Sequence, residues 1–229
     1  MSIIQDFDLG SLDTLLRSFT ERPQALHLDT RLPPLLQALQ RDRLDRLPLP
    51  GHGQTLQRWQ TLARVAGCDL SLAKLYEGHT DALAILAECA ASHRAGDGIW
   101  GVWAAEPPDA RTRIVERDGE RVILDGRKAW CSGALQIDKA LLTAWDADEQ
   151  PQLVAIELSH PSQRIIADGW QAVGMATTTS VVLEFNSTPA VAIGTPGQYL
   201  SRPGFWHGGG GIAACWYGAA RQIAEALRQ

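Results

Sequence analysis

Apolar positions along the chain change period twice. Leu12, Leu15, Leu16 and Phe19 recur at helical spacing, with Ser11 placed to cap. Arg22-Pro23 breaks that helix. Pro33-Pro34 opens a second, carrying Leu35, Leu36 and Leu39. A turn-rich connector at residues 47–53 leads to a third, from about Thr55 to Ala66, with Leu56, Trp59, Leu62, Ala63 and Ala66 on one side. Asp69 or Ser71 then caps the longest helix, spanning residues 71–92. Its stripe of Leu72, Leu75, Ala82, Leu83, Leu86 and Cys89 includes His79, which reads as a core histidine bonded to a backbone carbonyl.

At Gly96-Asp97-Gly98 the period shortens. β-like runs follow at 113–116, 121–124, 139–145, 152–158, 181–185 and 191–193. Asp118-Gly119 is a hairpin signal and Asp125-Gly126 a second turn. Strands at this spacing predict a small barrel or sandwich. Residues 201–207 read as a turn running into four glycines at 208–211, and residues 212–228 as a helix rich in small residues. A lone terminal helix cannot form its own core, so it must dock on something. The expected class is α+β: a helical domain over 1–95, a β-domain over 96–200, and a linker with the first helix of another helical domain over 201–229.

Composition narrows the function classes. The formal net charge of −5, with basic and acidic residues interspersed, argues against a dedicated nucleic-acid binder. Cys68, Cys89, Cys131 and Cys215 are too dispersed for a zinc site or a disulfide framework, and no metal is expected. The acidic start resembles no signal peptide and no apolar run reaches the ~18 residues of a membrane span. The expectation is a cytoplasmic protein with no membrane partner.

The chemistry concentrates at residues 126–133, Gly-Arg-Lys-Ala-Trp-Cys-Ser-Gly. A flat aromatic beside a small hydroxyl suits a planar redox ring, one group stacking and the other donating a hydrogen bond. The order of motifs resembles the acyl-CoA dehydrogenase flavoproteins. Ala105-Glu106-Pro107 is similar to the Thr-Glu-Pro that opens their middle domain. Residues 124–133 are similar to their flavin loop, residues 174–185 to the Gly-Met strand that closes their sheet, and residues 47–53 to their Leu-Pro-x-Pro connector. The resemblance implies FAD as cofactor, with Trp130 packed on the ring edge and Ser132 donating to flavin N5. It further implies backbone contacts from Cys131, and Val102, Ala104 and Ala105 lining the ring through main-chain groups.

The departures are equally informative. Ala105 replaces the family's threonine, and Asp109-Ala110-Arg111-Thr112 stands where a Gly-Ser-Asp phosphate loop is expected, with Arg111 and Arg113 as substitute phosphate ligands or surface arginines. The family continues into a second helical bundle that usually carries the catalytic glutamate. An alternative position for that glutamate falls near Gly208, where there is no carboxylate; His207 is the neighbouring candidate base. The implied activity is α,β-dehydrogenation of an acyl-CoA or acyl-carrier thioester, with hydride transfer to the flavin and an unidentified electron acceptor. The alternatives are a flavin-dependent monooxygenase or oxidase on the same scaffold, and a shortened, non-catalytic module binding an acyl group or a partner. The unmatched terminal helix also predicts a homo-oligomer.

Overall fold

The computed structural model describes residues 7–20, 32–167 and 169–228. The Arg22-Pro23 helix break lies outside them. Four helices come first: α1 (Leu9–Thr20), α2 (Leu32–Arg41), α3 (Thr55–Cys68) and α4 (Leu70–Glu88). Strands β1 (Trp100–Trp103), β2 (Thr112–Asp118), β3 (Arg121–Cys131), β4 (Lys139–Trp145), β5 (Pro151–Glu157), β6 (Gln163–Ile166) and β7 (Val181–Ile193) follow. The chain then forms α5 (Gln198–Ser201) and α6 (Phe205–Ala226). The expected α+β class holds, and no helix among the described residues is long and apolar enough to cross a membrane.

The cap of α1 differs in detail from the sequence reading, and that of α4 follows one of its two alternatives. Asp8, one residue before α1, accepts from the Ser11 amide at 3.0 Å and its hydroxyl at 2.6 Å, so Ser11 assists a cap made by Asp8. Asp69 caps α4 through the Leu72 amide at 2.7 Å. On α3, Leu56 is 65% exposed and Arg58 takes the buried place instead. Arg58 is tolerated there because Asp81 lies 3.8 Å away and Pro48 O accepts from it at 3.3 Å. Asp81 also faces Arg202 at 3.6 Å, and Arg202 pairs with Glu88 at 2.6 Å. This ion cluster joins α3, α4 and the chain between α5 and α6.

The strands close into a barrel. β4, β2, β3, β7 and β5 pair in that order and β5 returns to β4, while β1 adds parallel to β4 and β6 adds to β7. Closure between β2 and β4 rests on one residue pair, Arg113 with Trp145. Alternate residues of β4 serve two cores. Ala140, Leu142 and Ala144 join the main core, whereas Leu141 packs with Trp100, Leu153 and Ile193 against Ala82, Ile85 and Leu86 of α4. The Asp118-Gly119 hairpin forms as expected. Asp125-Gly126 is not a turn: β3 runs straight through it, and the ladder with β7 absorbs a register shift there. The runs at 181–185 and 191–193 are two ends of one long strand.

The four glycines at 208–211 lie inside α6, which begins at Phe205 and not at residue 212 as expected. Each costs the helix roughly 0.5–1 kcal/mol relative to alanine. Contact with α3 offsets that cost. A Cβ on Gly210 would stand 2.8 Å from Trp59, one on Gly211 2.9 Å from Leu62, and one on Gly218 2.0 Å from the Ala63 carbonyl. Gly218→Ala is therefore expected to lower stability by about 1–3 kcal/mol through overpacking. Gly209→Ala, where a Cβ meets nothing within 4 Å, is expected to be neutral or to stabilise by up to ~1 kcal/mol. Urea unfolding of the two variants checks the opposite signs.

Candidate functional site

The structure gathers the candidate site residues at one rim of the barrel, where β1 ends, β3 ends and β7 begins. On β3, Lys128 pairs with Leu183 and Cys131 with Val181, so the strand carries one residue too many for its partner. Trp130 takes up that bulge with φ 57°, a left-handed conformation uncommon for a bulky residue. Its side chain is 59% exposed, whereas Ala129 and Cys131 beside it are buried.

Facing this loop is the segment from Met175 to Thr179. Its end residues also have positive φ, 58° and 37°. Three of the non-glycine residues with left-handed backbone thus meet at one rim. The segment is tied down: the Gly133 amide donates to Thr178 O at 2.7 Å, and the Gln136 amide donates to Thr177 O. Gly133 admits no side chain, since a Cβ would sit 2.3 Å from Leu75 of α4. Strained backbone persists only where the surroundings over-determine it, and here they do.

Ser132 is held from two sides. Its carbonyl accepts from the Trp103 indole at 3.1 Å and its hydroxyl lies 2.8 Å from that of Ser180. If Ser180 donates in that pair, the Ser132 hydroxyl proton is left to point elsewhere. Val102 and Ser132 line one narrow crevice with Lys74 and Gly78 of α4. Ala104 and Ala105, half-buried, continue from β1. The Cys131 side chain turns into the core, and burial pushes its thiol up to about 12, so only its backbone faces the rim.

A polar network that sequence reasoning missed lies beneath the loop. Lys128, fully buried, donates to Thr143 O at 2.9 Å, Thr143 Oγ1 at 2.7 Å and Glu106 Oε1 at 3.1 Å. Glu106 also accepts from the Thr143 hydroxyl and the Trp145 indole, each at 2.5 Å. Burial raises the Glu106 carboxyl, but hydrogen bonds from Thr143, Lys128 and Trp145 outweigh it and hold the group below its ordinary value. Burial likewise pulls the Lys128 ammonium down, with Glu106 opposing. The available signal was a lysine two residues before the tryptophan on a strand otherwise apolar on its buried side.

Other candidates are committed elsewhere. Arg111 and Arg113 both bind Glu149 at 2.6 Å, and Arg111 lies over the Trp145 ring at 4.2 Å. His207 sits in the first turn of α6 against the Gly51 turn, not on the β-domain. His79 is a core histidine, but its partners are not carbonyls. Nδ1 accepts from the Trp100 amide at 3.1 Å, so Nε2 carries the proton toward Asp45 at 3.1 Å.

With this geometry the chain has the acyl-CoA dehydrogenase-like fold. No family model and no curated protein matches it. Among solved structures it is similar to methanesulfinate monooxygenase MsuC from Pseudomonas fluorescens (20% identity, TM-score 0.74), covering 99% of this chain and 63% of that one. A complex of TdsC from Paenibacillus sp. A11-2 with FMN and indole matches at 20% identity and TM-score 0.71, covering 93% and 61%. KijD3 in complex with FMN and a dTDP-linked amino-keto sugar matches at 17% identity and TM-score 0.73, covering 98% and 64%. The chain thus spans less than two thirds of the length of each.

The Lys128–Glu106 pair gives a stability prediction. Lys128→Met removes the countercharge and the hydrogen bonds to Thr143; because Glu106 stays partly in contact with solvent, the cost is expected to be about 1–3 kcal/mol. Lys128→Met with Glu106→Gln is expected to recover part of that loss. Because the folded Glu106 value lies below the unfolded one, its contribution is complete above roughly pH 5 and lost as pH falls through the folded value. Urea unfolding between pH 7 and pH 3 checks this: the double variant loses less stability on acidification than the unmodified protein.

Proposed function

We propose that the chain binds a flavin at the barrel rim and serves a flavin-dependent monooxygenase reaction. The observation that carries this reading is Trp130, a large ring held in solvent by a bulged, left-handed backbone beside a hydroxyl pair. Exposed aromatic surface at a strained position fits a planar ligand. Trp130 would stack on the ring edge, and Ser132, itself receiving a hydrogen bond from Ser180, would donate to N5. Val102, Ala104, Ala105 and Cys131 would offer main-chain groups. A bound flavin accepts hydride when oxidised and activates oxygen when reduced; the protein supplies stacking, hydrogen bonds and exclusion of water.

Two observations favour monooxygenation over acyl dehydrogenation. Removing an α-proton needs a free base, and the carboxylate nearest Gly208 is Asp81, 3.1 Å from where a side chain there would begin. Arg58 and Arg202 hold that carboxylate in an ion cluster, unsuited to taking a proton. The likeness to MsuC and to FMN-bound TdsC points the same way. FMN is also favoured over the FAD implied by the motifs, because Arg111 and Arg113 are engaged by Glu149 and leave a second phosphate without an obvious ligand.

Titration with FMN and with FAD, followed by flavin fluorescence, tests the site. Binding is expected for FMN, and Trp130→Leu is expected to weaken it about two- to tenfold, the worth of one aromatic stack. Reoxidation of the photoreduced complex in air-saturated buffer separates the reactions: fast reoxidation supports monooxygenation, and slow reoxidation returns the dehydrogenase reading. Failure to bind either flavin leaves the acyl- or partner-binding module.

A further inference from the structure

A groove of about 480 Å³ lies on the outer face of the barrel, away from the rim. The ladders set its floor. Arg121 pairs with Val191 and Ile123 with Pro189, Val191 pairs in turn with Ala155, and Lys139 faces Glu157 across β4 and β5. The residues between them, Val122, Leu124, Val154, Ile156, Ala190 and Ala192, are buried in the main core, so by strand alternation this set points outward. α4 covers the neighbouring outward residues Leu141, Leu153 and Ile193 but ends at Glu88. Beyond its end, Ile123, Ala155, Pro189 and Val191 form an apolar floor where a solvated sheet face ordinarily carries polar residues.

Cations stand around that floor. Arg94, Arg121, Lys139 and His160 line the groove, against one lining carboxylate, Glu157. Arg94 is bound to Glu120. Arg121 and Lys139 have no ion pair or side-chain hydrogen bond among the described residues, and the Lys139 ammonium lies 5.5 Å from the Trp100 ring. The Ser162 amide donates to His160 Nδ1 at 3.3 Å, so the neutral ring carries its proton on Nε2, which has no partner among the described residues. The chain has a formal net charge of −5, so this gathering of donors and positive charge is local. An apolar floor with a few convergent polar groups, in a volume within the ~300–1,000 Å³ of small-molecule sites, is the form of a ligand pocket.

The groove is separate from the rim. Arg121 and Trp130 stand nine residues apart on β3, about 30 Å along the strand. Trp100, buried, lines both the groove and the crevice at Ser132 and divides them. Its indole donates to Ala95 O at 2.9 Å and its amide to His79 at 3.1 Å, so the dividing wall is fixed. The last turns of α6 lie elsewhere: Arg221 and Gln222 sit with Gly67 and Cys68, just before the start of α4. Arg94 follows the other end of that 19-residue helix, about 28 Å further along. We propose that this groove binds a small organic anion, a carboxylate, sulfonate or sulfate on an apolar body. The body would rest on Ile123, Ala155 and Val191, and the acidic group would be met by Arg121, Lys139 and His160.

Calorimetric titration with naphthalene-2-sulfonate tests the site. One equivalent per chain is expected to bind with a dissociation constant below about 1 mM. The uncharged 2-naphthol and the bare anion inorganic sulfate are each expected to bind roughly tenfold more weakly, since each lacks one half of the match. Lys139→Gln is expected to weaken naphthalene-2-sulfonate about two- to fivefold, the worth of one solvent-screened charge pair, and the charge reversal Arg121→Glu by more. Arg221→Gln, the same change of net charge on α6, is expected to leave binding unchanged. Saturating FMN is expected to leave it unchanged too, whether or not FMN binds at the rim. No binding below about 1 mM overturns the proposal. So does equal binding of 2-naphthol or of inorganic sulfate, which removes the role of the charge or of the floor. Equal weakening by Arg221→Gln overturns it by making the attraction a property of the whole chain. One-for-one displacement by FMN overturns it by placing both ligands in one site.

Discussion

The contact between the buried Lys128 and the partly exposed Glu106 is the constraint on which the rim of the barrel depends. It joins the exit of β1 and the end of β4 to the bulged end of β3, a strand that pairs with neither of them. Backbone pairing between β2 and β4 is a single residue pair, so side chains complete the closure. An ammonium in the interior is tolerated only when its donors are met, and all its partners converge here: a carboxylate, a hydroxyl and a carbonyl. The same carboxylate fixes Trp145, whose ring in turn carries Arg111. Two residues beyond Lys128 the strand bulges, and Trp130 leaves the barrel.

That geometry shows how a polar network can serve a surface site without touching a ligand. Residues in a regular strand alternate sides, so without a bulge the buried Lys128 and Trp130 would share one face. The extra residue breaks that alternation and re-aims the indole outward. β7 has its own irregularity opposite Leu124–Gly126, where Ser187 has φ 51° and its amide donates to Asp125 at 2.5 Å. One long strand pair therefore carries two bulges, and curvature from both closes the barrel around a small core.

Much of this was legible in sequence, and the failures have physical causes. Helical period and capping chemistry placed α1 to α4 within a few residues, because each helix has a dense apolar stripe and a clear start. The candidate site residues fall on one rim, although Cys131 contributes only backbone. The Asp125-Gly126 turn was misread because a glycine with φ 110° serves a bulge as readily as a turn. The glycines of α6 were misread because intrinsic propensity disfavours them in helices, and only tertiary contact with α3 overrides it. β6 was missed because its four residues are mostly half-buried and pair only with β7. Arg58 displaced Leu56 from the buried face of α3 because its carboxylate partner, Asp81, lies on a different helix. No local pattern encodes that.

The distribution of strain connects the fold to the chemistry. Left-handed backbone at Trp130, Met175 and Thr179 costs on the order of 1–3 kcal/mol at each position. A chain free to relax would abandon those conformations. Here Gly133 is wedged against Leu75, the Thr178 carbonyl is held by the Gly133 amide, and Lys128 anchors the strand below. The strained rim is thus bounded by α4 on one side and the barrel on the other. Two elements built for stability hold a third in a shape that has no stabilising role of its own: an exposed indole, a hydroxyl pair and, beside Ser132, a narrow crevice against α4. On the proposed function, a surface with that local cost is kept for a ligand that meets the ring face and hydroxyl together, and a planar ring bearing a hydrogen-bond acceptor does both.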